Sequence, residues 1–164
     1  MLLNHSLITE LKHEAVNTRK MLENIPEAKF AWKPHEKSMT LGRLTAHIAQ
    51  IPVWVNRSFE AGYFDFVTAS PMPVAYETTE ALLQVFDDKQ AAAIAALQQA
   101  TDEALAVSFA VRRGSQLVFE LPRQVLIRNF VLNHIVHHRG QLSVYLRLLN
   151  LPVPGMYGPS ADER

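Results

Sequence analysis

The residues best able to do chemistry in this chain are three histidines near its C-terminus, in the run VLNHIVHHRGQLSVYL at residues 131–146. His134 and His138 are four residues apart. On a helix their rings project from one face about one turn apart, the spacing by which a single helix supplies two ligands to one ion. Ile127, Phe130, Val131, Leu142, Tyr145 and Leu149 continue the same broad stripe, which turns the pair toward a protein interior. His137 sits about 100° round from His138, on the flank, where it is either solvent-facing or an alternative ligand. Spacing alone leaves two readings open: hydrogen-bonded core histidines, or a chelate. The protease motif H-E-x-x-H is excluded, because Ile135 stands where that motif needs a glutamate as general base.

A chelate inside a helical protein needs a ligand from a facing helix. His47 offers one, three residues after Leu44 and one before Ile48, at the border of an apolar face. His5 and His13 on the first helix and His35 in a loop fit exposed positions better. Three histidines on one ion leave at least one coordination position open, the arrangement of catalytic sites more than structural ones. Such an ion polarises a carbonyl or lowers the pKa of a bound water or thiol. Imidazole suits zinc, nickel, copper and iron alike, so ligand type does not select the element. Gln50 and Trp54, three and seven residues after His47, are candidates for the pocket wall, with a core role the stronger reading for Trp54. Gln141, three residues after His138, can hold a ligand from outside the metal or serve on the surface.

Four long segments would position these residues. Leu7, Leu11, Ala15, Thr18, Leu22 and Ile25 predict an amphipathic helix over residues 3–24, stopped by Pro26. A second helix starts near Ser38 or Thr40, either of which could cap it, and carries Leu41, Leu44, Ile48, Ile51, Val55 and Phe59 as far as Gly62. Pro52 removes the hydrogen bond to the Ile48 carbonyl and should kink or interrupt it. After the connection DFVTASPMPVAYE, a third helix opens at Thr78 or Thr79 and runs to about Ala100 through the alanine-rich AAAIAAL. LAVSFAVRRGSQLVFEL alternates loosely and breaks at RRGS, which suggests a short hairpin or an irregular crossover. The last helix runs from Pro122 to about Leu149, stopped by Asn150, Pro152 and Pro154. Gly140 within it costs about 1 kcal/mol relative to alanine, which predicts a neighbouring helix packed closely against it. Tyr157, in the tail, is expected to pack the tail and not to reach the metal. The expected fold is all-α, a four-helix bundle in one domain over residues 1–164.

Composition narrows the chemistry further. Sixteen basic residues balance sixteen acidic ones in 164, so no bulk positive field draws the chain to nucleic acid or anionic membranes. The absence of cysteine excludes disulfides, thiolate metal sites and a cysteine nucleophile. No stretch approaches the ~18 apolar residues of a membrane span, and the N-terminus lacks a basic, apolar leader. A cytoplasmic location is the expectation.

Two blocks, AWKPHEKSMTLGRLTAHIAQIPVW and NHIVHHRGQLSVYLRLLNLPVPGMYGPSADE, are similar to the DinB/YfiT-like family of metal-dependent proteins, and their separation extends the likeness across the chain. The resemblance implies an up-down-down-up four-helix bundle, with a long crossover between the third and fourth helices, often assembled as a homodimer. It also implies a divalent metal (zinc, nickel or iron) held by one histidine of the second helix and an H-x-x-x-H pair of the fourth, here His47, His134 and His138. His137 is then the extra histidine before the second ligand. The family offers precedent for thiol-dependent S-transferases and isomerases, in which a small-molecule thiol attacks an electrophile, with hydrolase-like activity as a variant. The competing expectation is a non-catalytic, stress-associated metal-binding or dimerisation module.

Overall fold

The computed structural model describes residues 2–69 and 75–163. The first helix, α1 (Leu3–Leu22), buries Leu7, Leu11, Thr18 and Leu22 on the predicted face. Behind it the chain turns through Pro26 and docks on the next helix, where Leu41 N donates to the Trp32 carbonyl and Gly42 N to the Phe30 carbonyl. A Cβ on Gly42 would meet Phe30 Cβ at 3.1 Å, so glycine is what permits this approach.

Pro52 divides the second helical stretch into α2 (Leu41–Gln50) and α3 (Val53–Glu60), as its missing N–H requires. Of the two candidate caps, Thr40 is the one used: its hydroxyl accepts from Arg43 N at 3.2 Å. Next come β1 (Tyr63–Asp65) and α4 (Thr79–Gln99). The latter is capped by Thr78, which accepts from Ala81 N, while the Thr79 hydroxyl donates to the Ile25 carbonyl and ties α4 to the end of α1. The proline-containing part of the connection, residues 70–74, lies outside the described residues.

A short α5 (Asp102–Ala106) leads into β2 (Ser108–Arg113) and β3 (Gln116–Pro122). These form the hairpin suspected from the sequence, with Gly114 at φ 59° in its turn. The all-α expectation is corrected here: the chain is mostly helical and carries a small three-stranded sheet in the order β1-β2-β3. β1 runs parallel to β2, with Phe64 opposite Val111, and β2 pairs antiparallel with β3, with Val111 opposite Phe119. Three residues are too few to show a period of two, so β1 carries no strand signal of its own.

The last helical stretch also differs from a uniform helix. It comprises α6 (Arg123–Ile127), a π-helical stretch at Arg128–Asn133, and α7 (His134–Leu148). The widened turns end at the residue before His134, and π-bulges recur at functional sites.

α1 packs on α4, α4 on α2 and α3, α2 on α7, and α7 back on α1. The interior falls into two apolar clusters. One holds Leu7, Leu11, Trp54, Leu97, Phe109, Leu126 and Ile135; the other holds Met21, Leu22, Leu44, Ile48, Phe86, Leu142 and Leu146. Between them each long helix carries buried polar side chains: Glu14, Asn17 and Thr18 on α1, Gln50 on α2, Gln90 on α4, and His138 and Arg139 on α7. Buried polar groups stabilise a fold only when they find partners, so this belt marks where directional contacts replace apolar ones.

Candidate metal centre

The belt contains the histidines. α2 presents His47 between its two apolar contacts, Leu44 and Ile48. α7 presents His134 in its first turn and His138 one turn later, as the i, i+4 spacing demands. The three Nε2 atoms converge: that of His134 lies 3.2 Å from that of His47 and 2.8 Å from that of His138. Ring centroids are 4.5 to 4.9 Å apart. Three imidazoles about 2.05 Å from one tetrahedral ion place their nitrogens about 3.3 Å apart, close to the 3.2 Å between His47 and His134 and about 0.5 Å more than the 2.8 Å between His134 and His138. Each of the three residues offers one ligand atom to a shared position, and the group could hold a metal ion.

Electrostatics favour the form that binds metal. Burial, followed by the facing His138, His134 and Arg43, lowers the pKa of His47 from 6.5 to about 4. His134 and His138 are lowered too, each chiefly by burial. A neutral ring keeps a lone pair on one nitrogen, at Nε2 when Nδ1 carries the proton, and lone pairs aimed at one point repel each other unless a cation or proton lies among them. The donor set therefore fits a divalent transition metal. No carboxylate belongs to the group among the described residues.

Groups beyond the ligands set the tautomers. The Gln141 amide oxygen lies 2.8 Å from His138 Nδ1. Because that oxygen can only accept, Nδ1 carries the proton and Nε2 keeps its lone pair. Gln141 Nε2 donates to Nε2 of the exposed His137 at 3.0 Å, which links His137 to His138 through Gln141. His134 Nδ1 is buried without a hydrogen-bond partner of full geometry, although the Phe130 carbonyl acts on the ring as an acceptor and is the one influence raising its pKa.

Gln50 lies one turn after His47, buried, with Nε2 donating to the Tyr76 hydroxyl at 2.8 Å. Trp54 belongs to the core and packs against Phe64, Phe66 and Phe130 with Arg57 over its face. Phe130 lies one turn before His134. His5, His13 and His35 are exposed. The expectation for Gly140 is overturned: nothing lies within 4 Å of the Cβ position, so close packing within this chain does not explain it.

Several residues escaped the sequence reading. Tyr76 sits in an irregular connection with no periodicity to mark it. Glu14 pairs with Arg139 in the interior, and the Tyr157 hydroxyl joins them from the tail. Glu14 could have been noticed as a charge bordering the apolar stripe of α1, but nothing in the pattern names its partner.

The model of the DinB family matches residues 1–164. The uncharacterized protein YrdA of Bacillus subtilis (strain 168) is 28% identical over 155 residues, covering 92% of this chain and 85% of that protein. A crystal structure of a DinB-like protein from Bacillus cereus ATCC 10987 is similar with a TM-score of 0.70 and 25% identity, over 93% of this chain and 97% of that one. A second, of a DinB-like protein from Bacillus subtilis, has a TM-score of 0.67 over 93% and 99% of the two chains; at 19% identity it speaks to fold alone. The chain belongs to the DinB family.

Proposed function

We propose that this protein is a metal-dependent enzyme whose His47, His134 and His138 hold one divalent transition metal, zinc, nickel or iron, with a coordination position open to a small molecule. The observation that carries this reading is the convergence of the three rings, with His134 Nε2 within hydrogen-bond distance of both His47 Nε2 and His138 Nε2 and the ligand atoms all within 4.8 Å of one another, and with His138 held by Gln141. Such an ion supplies Lewis acidity and lowers the pKa of a thiol or water for transfer to an electrophile. Around it, this chain's own residues disfavour protonation of the three rings by burial and orient His138 through Gln141. With no acid or base among the ligands, proton transfer falls to the small molecules or to the exposed His137–Gln141 pair.

The test is thiol transfer by the metal-loaded protein with a panel of low-molecular-weight thiols and electrophiles. Loss of turnover in His138→Ala with retained folding supports the reading. Equal turnover in wild type and variant contradicts it and favours the non-catalytic metal-binding or dimerisation module.

The same reading takes residues 1–164 as one domain with α1, α2–α3, α4 and α6–α7 in up-down-down-up order, supported by the ring of helix contacts and the DinB-like neighbours. It also takes the chain as a homodimer in the cytoplasm. Val136, Gly140, Val144 and Leu148 form an exposed row at four-residue steps on α7, uncharged and notched at the glycine, which suits a second copy of the same helix. A Val144→Glu variant that remains dimeric by light scattering would rule out this face. Among the described residues no helix is long and apolar enough to cross a membrane, and the balanced charge gives nucleic acid no foothold.

A further inference from the structure

We propose that Glu14, Arg139 and Tyr157 are positioning residues for the three-histidine centre, a polar clamp that fixes the rotation and axial register of α7 against α1. The inference rests on the metal-centre reading above.

Arg139 directly follows His138, so it points about 100° away, toward α1 while the ligand faces His47. It is 2% exposed. Its Nη2 donates to Glu14 Oε2 and to the Tyr157 hydroxyl, both at 2.5 Å, and its Nη1 to the Glu14 carbonyl and the Thr18 hydroxyl, both at 3.2 Å. Glu14 and Thr18 are successive turns of α1, so one planar guanidinium reads both the height and the azimuth of that helix. The Tyr157 hydroxyl in turn donates to Glu14 Oε2 at 2.9 Å, closing a triangle.

Apolar packing sets which face of α7 is buried, through Ile135, Leu142 and Leu146. The guanidinium adds a directional constraint to it, because a buried fork loses its hydrogen-bond partners on displacements too small to expose those side chains. A slip of α7 by one residue is about 1.5 Å along and 100° around. Ligand sets need their geometry held to about 0.5 Å, and Nε2 separations of 2.8 and 3.2 Å leave no room for it.

Tyr157 shows that the clamp is directional and not a packing contact. The residue is 67% exposed, yet its hydroxyl enters the buried pair. A tail held by ring burial alone would not need that hydroxyl. The tail is brought there by Asn150 at φ 55°, by Leu151 N donating to the Leu146 carbonyl, and by Arg147 paired with Asp162.

The experiment compares wild type, Tyr157→Phe and the double variant Glu14→Leu/Arg139→Met by cobalt(II) titration, visible ligand-field spectra and thermal unfolding. The metal-free histidine ring spectra of wild type and Tyr157→Phe are compared by NMR. The double variant replaces a buried ion pair by apolar residues of similar bulk, a change often neutral or stabilising for folding. The expected result is cobalt affinity about tenfold weaker in both variants, altered ligand-field bands, shifted His134 and His138 ring signals in metal-free Tyr157→Phe, and a melting temperature that does not fall in step. Wild-type cobalt affinity and spectra in a folded double variant, or unshifted ring signals in Tyr157→Phe, overturn the inference. If the double variant does not fold, Tyr157→Phe decides alone. If wild type binds no cobalt, the metal-centre reading has failed, and the ring signals still decide whether the clamp positions the histidines.

Discussion

Acidification of the metal-free protein should destabilise it through His47. In the folded chain its pKa is about 4 against 6.5 unfolded. A group whose folded pKa is depressed binds more protons when unfolded, so stability is full above 6.5 and declines as pH falls toward 4. At about 1.4 kcal/mol per pH unit, the gap between 6.5 and about 4 sets a ceiling of about 3.4 kcal/mol. The ring is only half-buried, so screening by water reduces this to roughly 1.5 kcal/mol at pH 4, and to under about 1 kcal/mol at pH 5. Urea unfolding of chelator-treated wild type and His47→Gln, at pH 7.5, 5.5 and 4.5, gives the measurement. Wild type should lose about 1 kcal/mol more than the variant between the extremes. His134 and His138, lowered in the same direction, titrate in both proteins and cancel to first order. Equal losses would refute the claim that burial beside the other two rings lowers the pKa of His47.

Gln141→Leu removes one neutral hydrogen bond to His138, a change of about 0.5–1.5 kcal/mol. Since Gln141 is exposed and water can replace it, metal affinity should fall only about two- to tenfold by calorimetry, and an unchanged affinity would show that the amide does not fix the tautomer. Gly140→Ala meets no neighbour and should raise the stability of dilute, monomeric protein by up to about 1 kcal/mol, while weakening any dimer that crosses at this notch; concentration-dependent melting separates the two effects. Phe86→Ala empties a fully buried site and should cost about 3–5 kcal/mol in denaturant unfolding, with metal stoichiometry unchanged in the folded fraction.

The grouping of the three histidines was readable in the sequence because its determinants are local. The i, i+4 spacing of His134 and His138 fixes their shared face, and His47 falls beside an apolar stripe. Pro52 and the threonine caps were legible for the same reason, since a missing N–H and a hydroxyl before a helix act within a few residues. What escaped depends on contacts distant in sequence. β1 exists because β2 lies beside it, Glu14 is buried because Arg139 reaches it across 125 positions, and Tyr157 is recruited by that pair. The π-helical stretch before His134 left no sign in a pattern read at 3.6 residues per turn. Gly140 misled because a helical glycine implies close approach, and no partner helix within this chain provides it.

The most direct test of the central claim is the metal content of freshly purified protein, measured by mass spectrometry after dialysis against zinc, nickel or iron(II), beside His47→Ala and His134→Ala/His138→Ala. Wild type should hold close to one ion per chain and both variants less than about a tenth of that, while remaining folded by circular dichroism. A wild type that retains no ion, or variants that retain as much as wild type, would contradict that claim.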